Sequence, residues 1–281
     1  MDDVKSLSIA LCIGLMYWTA TGAQTLDGGT QIWISTANGS LEGNDKVVKL
    51  EATLYTPRTT GKHPVLIFNH GLVSGFSRVK YDELAETMIS HGIAVIMPMR
   101  RGLGESEGTQ NQPRSCDTAI NEAGVQHAIE DIDAALAYVR NSPSLDAEQI
   151  LLGGNSRGGI LSLVYAARRK TAGLKGIINF VGTWNDDRSC RFDDINGALF
   201  KEAGAGSTIP ALWLYGEGDS YNSDKSVKDY AETFRLAGGN LTFRLYTHDF
   251  WNGHKLLEKG SKFWRPDVTR FLDRLNFAGP Y

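Results

Sequence analysis

Apolar and polar positions alternate along residues 30–35 and 46–55, as in half-exposed antiparallel strands. The pattern then changes. Residues 65–68, 93–97, 150–152, 176–181 and 211–215 are short continuous apolar runs, which is how strands buried on both faces read, and residues 241–247 fit a last strand. Between them, helical periodicity covers 81–90, 119–140, 159–169, 223–236 and 261–275. The second of these is the clearest. Val125, Ala128, Ile129, Ile132, Ala135, Leu136 and Val139 recur at intervals of three and four, drawing one apolar stripe along a helix. Strands alternating with helices predict an α/β architecture, a mostly parallel sheet of about eight strands, antiparallel at the start, with helices on both faces. Ligands bind such sheets beyond the carboxyl ends of the strands, so chemistry is expected just after the apolar runs.

The N-terminal stretch differs in kind. Residues 7–18 are almost wholly apolar and lead into Thr19, Ala20, Thr21, Gly22 and Ala23. That apolar core is roughly a dozen residues, short of the ~20 a membrane helix needs, and the small residues after it resemble a cleavage site. Residues 1–23 are therefore expected to be a signal peptide cut after Ala23, giving an exported (periplasmic or secreted) protein. Asp2 and Asp3 beside Lys5 depart from the usual positive start, which keeps an N-terminal anchor or buried helix open as the alternative. A lipid anchor at Cys12 is disfavoured by bulky Leu11 before it. Residues 24–281 read as one domain without internal repeats, and no membrane span is expected once the signal is removed.

With the signal gone, Cys116 and Cys190 are the cysteines left, an even count in an oxidising compartment, and a disulfide between them is expected. Two unpaired buried thiols are the alternative. Composition changes the picture only by exclusion. Hydrophobic residues at 42% and charged residues at 22% suffice for an ordinary core. A net charge of −3, without a run of Lys or Arg, argues against nucleic-acid binding. No Cys/His spacing suggests zinc, and no metal or organic cofactor is called for.

Two segments match Gly-x-Ser-x-Gly, around Ser106 (104–108) and around Ser156 (154–158). Among 31 glycines such matches arise by chance, so context decides. A nucleophilic serine needs a sharp strand-to-helix turn that presents its hydroxyl at the sheet edge. Ser156 follows the run 150–152 and precedes an apolar-striped segment, whereas Ser106 leads into Gly108, Thr109, Gln110, Asn111, Gln112 and Pro113, a loop composition. A serine hydroxyl also needs a base, and the base a third group that fixes its tautomer. Only His248 and His254 follow the last strand. His254, preceded by Gly253, can swing over the strand ends, and His248 is expected to be a structural hydrogen bonder. After the run 211–215, Asp219 is preferred as the acid over Glu217 and Asp224. Oxyanion donors are expected from the backbone N–H groups of Arg157 and of Leu72, in the turn Asn69-His70-Gly71-Leu72.

With these residues in place, most of 47–275 resembles the α/β-hydrolase superfamily, and within it the dienelactone hydrolase-related and prolyl oligopeptidase-like enzymes. The similar features are His70-Gly71, Arg101-Gly102-Leu103-Gly104-Glu105-Ser106, Gly154-Asn155-Ser156-Arg157-Gly158, Gly218-Asp219 and Gly253-His254, in that order. The resemblance implies the α/β-hydrolase fold. It also makes the Arg-Gly-x-Gly-x-Ser segment a structural loop, which further demotes Ser106. Serine stands where dienelactone hydrolase itself carries a cysteine nucleophile, and no propeller domain precedes the catalytic unit, so neither dienelactone cleavage nor peptide cleavage is favoured. The expectation is a carboxylic ester hydrolase acting on a small-molecule ester through an acyl-enzyme, with Ser156, His254 and Asp219 as its triad. Peptidase or amidase, acyltransferase, and a binding protein on a hydrolase fold remain alternatives. Residues 183–208 are long enough for a small lid, and Trp184, Phe250 and Trp251 are candidates to line the substrate pocket. The sequence is silent on oligomeric state.

Overall fold

The computed structural model describes residues 25–26, 28–36, 47–73, 81–110, 115–186, 190 and 195–277. The expected signal peptide, residues 1–23, lies outside them, as do 187–189 and 191–194 of the expected lid. Among the described residues, no helix is long and apolar enough to cross a membrane.

The chain opens with β1 (Thr25–Leu26), β2 (Gly29–Ser35) and β3 (Lys49–Tyr55), then runs β4 (His63–Asn69), α1 (Asp82–Ser90), β5 (Ala94–Pro98), α2 (Thr118–Asn141) and β6 (Leu145–Asn155). It continues through α3 (Arg157–Arg169), β7 (Leu174–Phe180), α4 (Asn196–Gly206), β8 (Ala211–Gly216), α5 (Asp224–Leu236) and β9 (Leu241–Tyr246). A 3₁₀ turn (Gly253–Lys255), α6 (Leu256–Lys259) and α7 (Ser261–Arg274) complete it. Among the described residues the sheet has nine strands in the order β1-β2-β3-β5-β4-β6-β7-β8-β9, one more than expected because the two-residue β1 extends the antiparallel edge. Pairing is antiparallel from β1 through β3 to β5 and parallel from β5 to β9.

The apolar runs are the reason for this order. Val65, Leu66 and Ile67 of β4, Leu151 and Leu152 of β6 and Leu212 and Leu214 of β8 are completely enclosed, each worth about 1.5–3 kcal/mol of transfer free energy. Strands so apolar on both faces require helices on both sides. The stripe predicted on α2 is buried at Val125, Ile129, Ile132, Leu136 and Val139. The helix starts where Asp117 accepts the N–H groups of Ala119 (2.8 Å) and Ile120 (3.0 Å), and stops at Ser142, before Pro143.

One element departs from the sequence reading. Part of the segment expected to be a lid is α4, an ordinary covering helix packed between α3 and α5, with Phe200 and Ala203 buried. Its glycines concealed it, because they lower helix propensity. Gly204 is there for contact: a Cβ at that position would lie 2.3 Å from the Phe234 carbonyl oxygen of α5.

The topology fixes where a site can form. From β4 the chain crosses to β5 on one side, then to β6 on the other. The connections therefore diverge at β4 and β6, leaving a crevice at their carboxyl ends.

Candidate active site

Ser156 sits at that crevice, between the last residue of β6 and the first of α3. Its backbone has φ 54° and ψ −121°, a left-hand conformation that a non-glycine residue occupies at a cost of order 1–3 kcal/mol. Packing holds the strain. A Cβ on Gly154 would lie 2.2 Å from the Gly158 backbone, and one on Gly158 would lie 2.0 Å from the Asn69 carbonyl oxygen. The flanking glycines of the motif thus let the helix start pack directly on the ends of β6 and β4. The Ser156 N–H donates to Phe180 O at 2.8 Å, and its carbonyl accepts from Gly159 N at 2.9 Å.

Ser106 is used quite differently. Its hydroxyl donates to Met99 O (2.7 Å) and accepts the Glu51 N–H (2.9 Å), pinning its loop to the antiparallel edge.

His254 lies in the 3₁₀ turn, and its Nδ1 is 2.8 Å from Oδ2 of Asp219. A carboxylate only accepts, so Nδ1 carries the proton and Nε2 is left as an acceptor. Asp219 is buried, and its Oδ1 accepts the N–H groups of Tyr221 (2.7 Å) and Asn222 (3.3 Å), which fixes the carboxylate plane. Asn252, unremarked in the sequence, ties the two loops together: its Oδ1 accepts from the backbone N–H of both Ser220 (3.0 Å) and His254 (2.9 Å). The ring of Tyr221 lies 4.4 Å from the imidazole and limits its rotation. Among the described residues no hydrogen bond joins Ser156 Oγ to His254, yet both line one cavity of about 760 Å3.

The rejected candidates have structural partners. His248 Nε2 bonds Glu217 O at 2.8 Å, Glu217 accepts from Thr247 Oγ1, and Asp224 caps the Gly218 N–H.

Leu72 and Arg157 both line the cavity beside Ser156. Gly71 also packs against the serine, since a Cβ there would be 3.2 Å from Ser156 Cβ. Of the aromatic candidates, Trp184 and Trp251 line the cavity, Trp184 buried and Trp251 81% exposed at the rim. Phe250 is not among the lining residues. Its ring stacks on His248, with centroids 3.6 Å apart, and packs against the core, so it supports the loop that carries His254.

Another part of the cavity wall joins two loops. Cys116 and Cys190 form the expected disulfide. Asn121 accepts from Trp184 Nε1 (2.8 Å) and donates to Ser115 O (2.7 Å), and Asn185 donates to the same carbonyl at 2.7 Å. The Arg157 side chain donates to Trp184 O (2.7 Å) and Asn185 Oδ1 (3.1 Å), with its guanidinium 4.9 Å from the Trp184 ring centroid. Among the described residues no cluster of His, Cys, Asp and Glu could hold a metal ion.

A strained serine between β6 and α3, with an acid and a histidine arriving later in the chain, is the arrangement of the α/β-hydrolase fold. The solved structures agree. The chain superposes on DcsB, determined in complex with its substrate analogue, with TM-score 0.66 over 89% of this chain and all of that one, at 17% identity. The Pyrococcus furiosus esterase Pf2001 gives TM-score 0.62 over 88% of this chain and 90% of its own, also at 17% identity. Residues 50–262 match the dienelactone hydrolase family, and the chain belongs to it. A curated relative, the quorum-quenching protein AidA of Acinetobacter baumannii (strain MDR-ZJ06), is 33% identical over 126 residues, 45% of this chain. That match spans 38% of AidA's own length.

Proposed function

We propose that this protein is a serine hydrolase that cleaves carboxylic esters through an acyl-enzyme, with Ser156 as nucleophile, His254 as general base and Asp219 as the orienting acid. The observation that carries the reading is the 2.8 Å contact between His254 Nδ1 and a buried Asp219 on the cavity that also receives the strained Ser156. With Nδ1–H held by Asp219, Nε2 accepts the Ser156 proton as Oγ bonds to the ester carbonyl carbon. The carbonyl electron pair moves to oxygen, facing the N–H groups of Leu72 and Arg157 at the start of α3. Collapse of this intermediate breaks the bond to the leaving alcohol, which takes the proton from His254. Water then attacks the acyl-serine, His254 accepts its proton, and the acid leaves as Ser156 recovers its hydrogen.

A cavity of about 760 Å3 suits a small-molecule ester. Trp184, the Cys116–Cys190 disulfide and Trp251 line the cavity that would receive the substrate. Residues 183–195 are the part of the expected lid left once α4 is set aside. Export with removal of residues 1–23, leaving one domain over 24–281, completes the proposal, and a disulfide in the site wall fits an oxidising compartment.

The test is hydrolysis of short p-nitrophenyl esters and labelling by a fluorophosphonate, comparing the wild type with Ser156→Ala, Ser106→Ala and His254→Ala. Activity in the wild type and Ser106→Ala, with loss in the other two, is the expected outcome. A wild type inert to both reagents overturns the reading in favour of a binding protein.

A further inference from the structure

The turn after β4 is held from behind by two side chains for which the proposed acyl-enzyme chemistry assigns no role. Arg100, buried two residues past β5, donates from Nη1 to His70 O (2.7 Å) and from Nη2 to Gly71 O (2.8 Å). His70 donates from Nδ1 to the same Gly71 oxygen at 2.6 Å, and its Nε2 accepts the Arg100 backbone N–H at 3.1 Å. A carbonyl can only accept and a backbone N–H can only donate, so these contacts require one tautomer of a neutral imidazole. Burial and the charge of Arg100 lower His70 well below its ordinary 6.5, in keeping with that neutrality. Burial and neighbouring Arg157 pull Arg100 down to about 9, which leaves it a cation at neutral pH.

A trans peptide carries its C=O and N–H on opposite sides. The Gly71 carbonyl and the Leu72 N–H belong to one peptide unit. With the carbonyl fixed toward Arg100, the Leu72 N–H is turned away from Arg100, in a turn whose Gly71 packs against Ser156 and whose Leu72 lines the same cavity. We propose that Arg100, assisted by His70, is a positioning residue of the oxyanion site, aiming and polarising the Gly71–Leu72 peptide so that Leu72 N–H donates to the developing oxyanion. Two hydrogen bonds on the carbonyl, one from a cation, strengthen the N–H at the other end of the same unit. The guanidinium acts through that peptide and does not touch substrate. This role rests on the esterase reading of the site.

The experiment measures kcat and KM for p-nitrophenyl acetate, and inhibition by a trifluoromethyl ketone, which forms a tetrahedral adduct with serine, in wild type, Arg100→Gln and Arg100→Lys. Deleting one oxyanion donor outright costs ~100- to 1,000-fold, and a donor left in place but unaimed costs less. In Arg100→Gln, kcat is expected to fall about 10- to 100-fold with KM within about twofold, and ketone affinity to fall by a similar factor. Arg100→Lys keeps the charge but cannot span both carbonyls, so an intermediate loss is expected. If Arg100→Gln does not fold, by circular dichroism and thermal melting, Arg100→Lys decides. Folded variants with wild-type kcat, or a loss confined to KM, overturn the positioning role while leaving the esterase reading intact. A wild type inert to ester and fluorophosphonate overturns both.

Discussion

Replacing Asp219 by asparagine tests the site at its least exposed point. The native carboxylate has two distinct duties: Oδ1 accepts the Tyr221 and Asn222 N–H groups, and Oδ2 accepts from His254 Nδ1. An asparagine must keep its single oxygen on the backbone N–H groups, because the reverse orientation would point its NH2 at two donors. The NH2 then faces His254, which can accept it only by moving its proton to Nε2. That tautomer cannot take the Ser156 proton. The equivalent change in a Ser-His-Asp protease lowers kcat about 10,000-fold, or ~5.5 kcal/mol of transition-state stabilisation at 1.36 kcal/mol per decade. Shape and the two backbone hydrogen bonds are kept, so the folded state and KM are expected to change little. The assay is steady-state hydrolysis of a p-nitrophenyl ester at neutral pH beside Ser156→Ala, with a thermal melt of each. Asp219→Asn retaining more than about a tenth of wild-type kcat, while Ser156→Ala is inactive, would refute the tautomer argument.

Three further outcomes are expected. The Cys116–Cys190 bond closes a loop with a sequence separation of 74, for which chain entropy gives about 4 kcal/mol. The double Cys→Ser variant should therefore lose about that much in urea unfolding, and reductant should destabilise the wild type but not the variant. Gly158→Ala places a Cβ 2.0 Å from the Asn69 carbonyl oxygen, against backbone that cannot yield cheaply. A loss of about 2–3 kcal/mol or more is expected, with slower fluorophosphonate labelling, since the turn holding Leu72 must shift. For pH, the unfolded chain protonates His70 near 6.5, whereas the folded protein holds it neutral well below that value. Its contribution to stability is complete above about 6.5 and is lost on acidification, by at most about 1.4 kcal/mol per pH unit. Comparing urea midpoints of wild type and His70→Gln between pH 7 and pH 5 should show a shallower decline in the variant.

Much of this molecule was legible because its signals are local. The runs 65–68, 150–152 and 211–215 could only be doubly covered strands, and they became the core of β4, β6 and β8. Ser156 was preferred to Ser106 because one follows such a run and the other precedes a loop, and His254 and Asp219 were chosen by their position after strands; the structure puts Ser156 at a strand-to-helix turn and His254 Nδ1 2.8 Å from Asp219. What could not be read acts across long sequence distances. Arg100 reaches Gly71 from 29 residues away, Asn252 reaches Ser220 from 32, and Asn121 reaches Trp184 from 63. None of these belongs to a motif, and each bonds a group that carries no distinctive chemistry of its own: the Gly71 carbonyl, the Ser220 N–H and the Trp184 indole N–H. The glycines of α4 masked a helix, and Phe250 was misread because an aromatic beside a candidate histidine looks the same whether it faces a ligand or a neighbouring imidazole.

The division has a physical basis that extends to the site itself. Strand burial and the elbow at Ser156 follow from side-chain volume and from the space two glycines leave, quantities written residue by residue. Aim is different. Asp219 holds His254 in one tautomer, and Arg100 holds one face of the Gly71–Leu72 peptide, through hydrogen bonds whose direction exists only after β4, β5 and β8 are assembled in register. Substitutions at Ser156 or His254 should therefore abolish turnover whatever the surrounding fold, whereas those at Arg100, Asn252 or Asn121 should lower it by graded amounts set by how far the supported group can turn. Asn252→Ala, which frees the Ser220 and His254 N–H groups together, makes the case measurable. It should reduce kcat by less than Asp219→Asn does, because the 2.8 Å bond between Nδ1 and Asp219 survives and only the backbone carrying it is loosened. A loss equal to that of Asp219→Asn would mean that the backbone tie, rather than the carboxylate, fixes the imidazole.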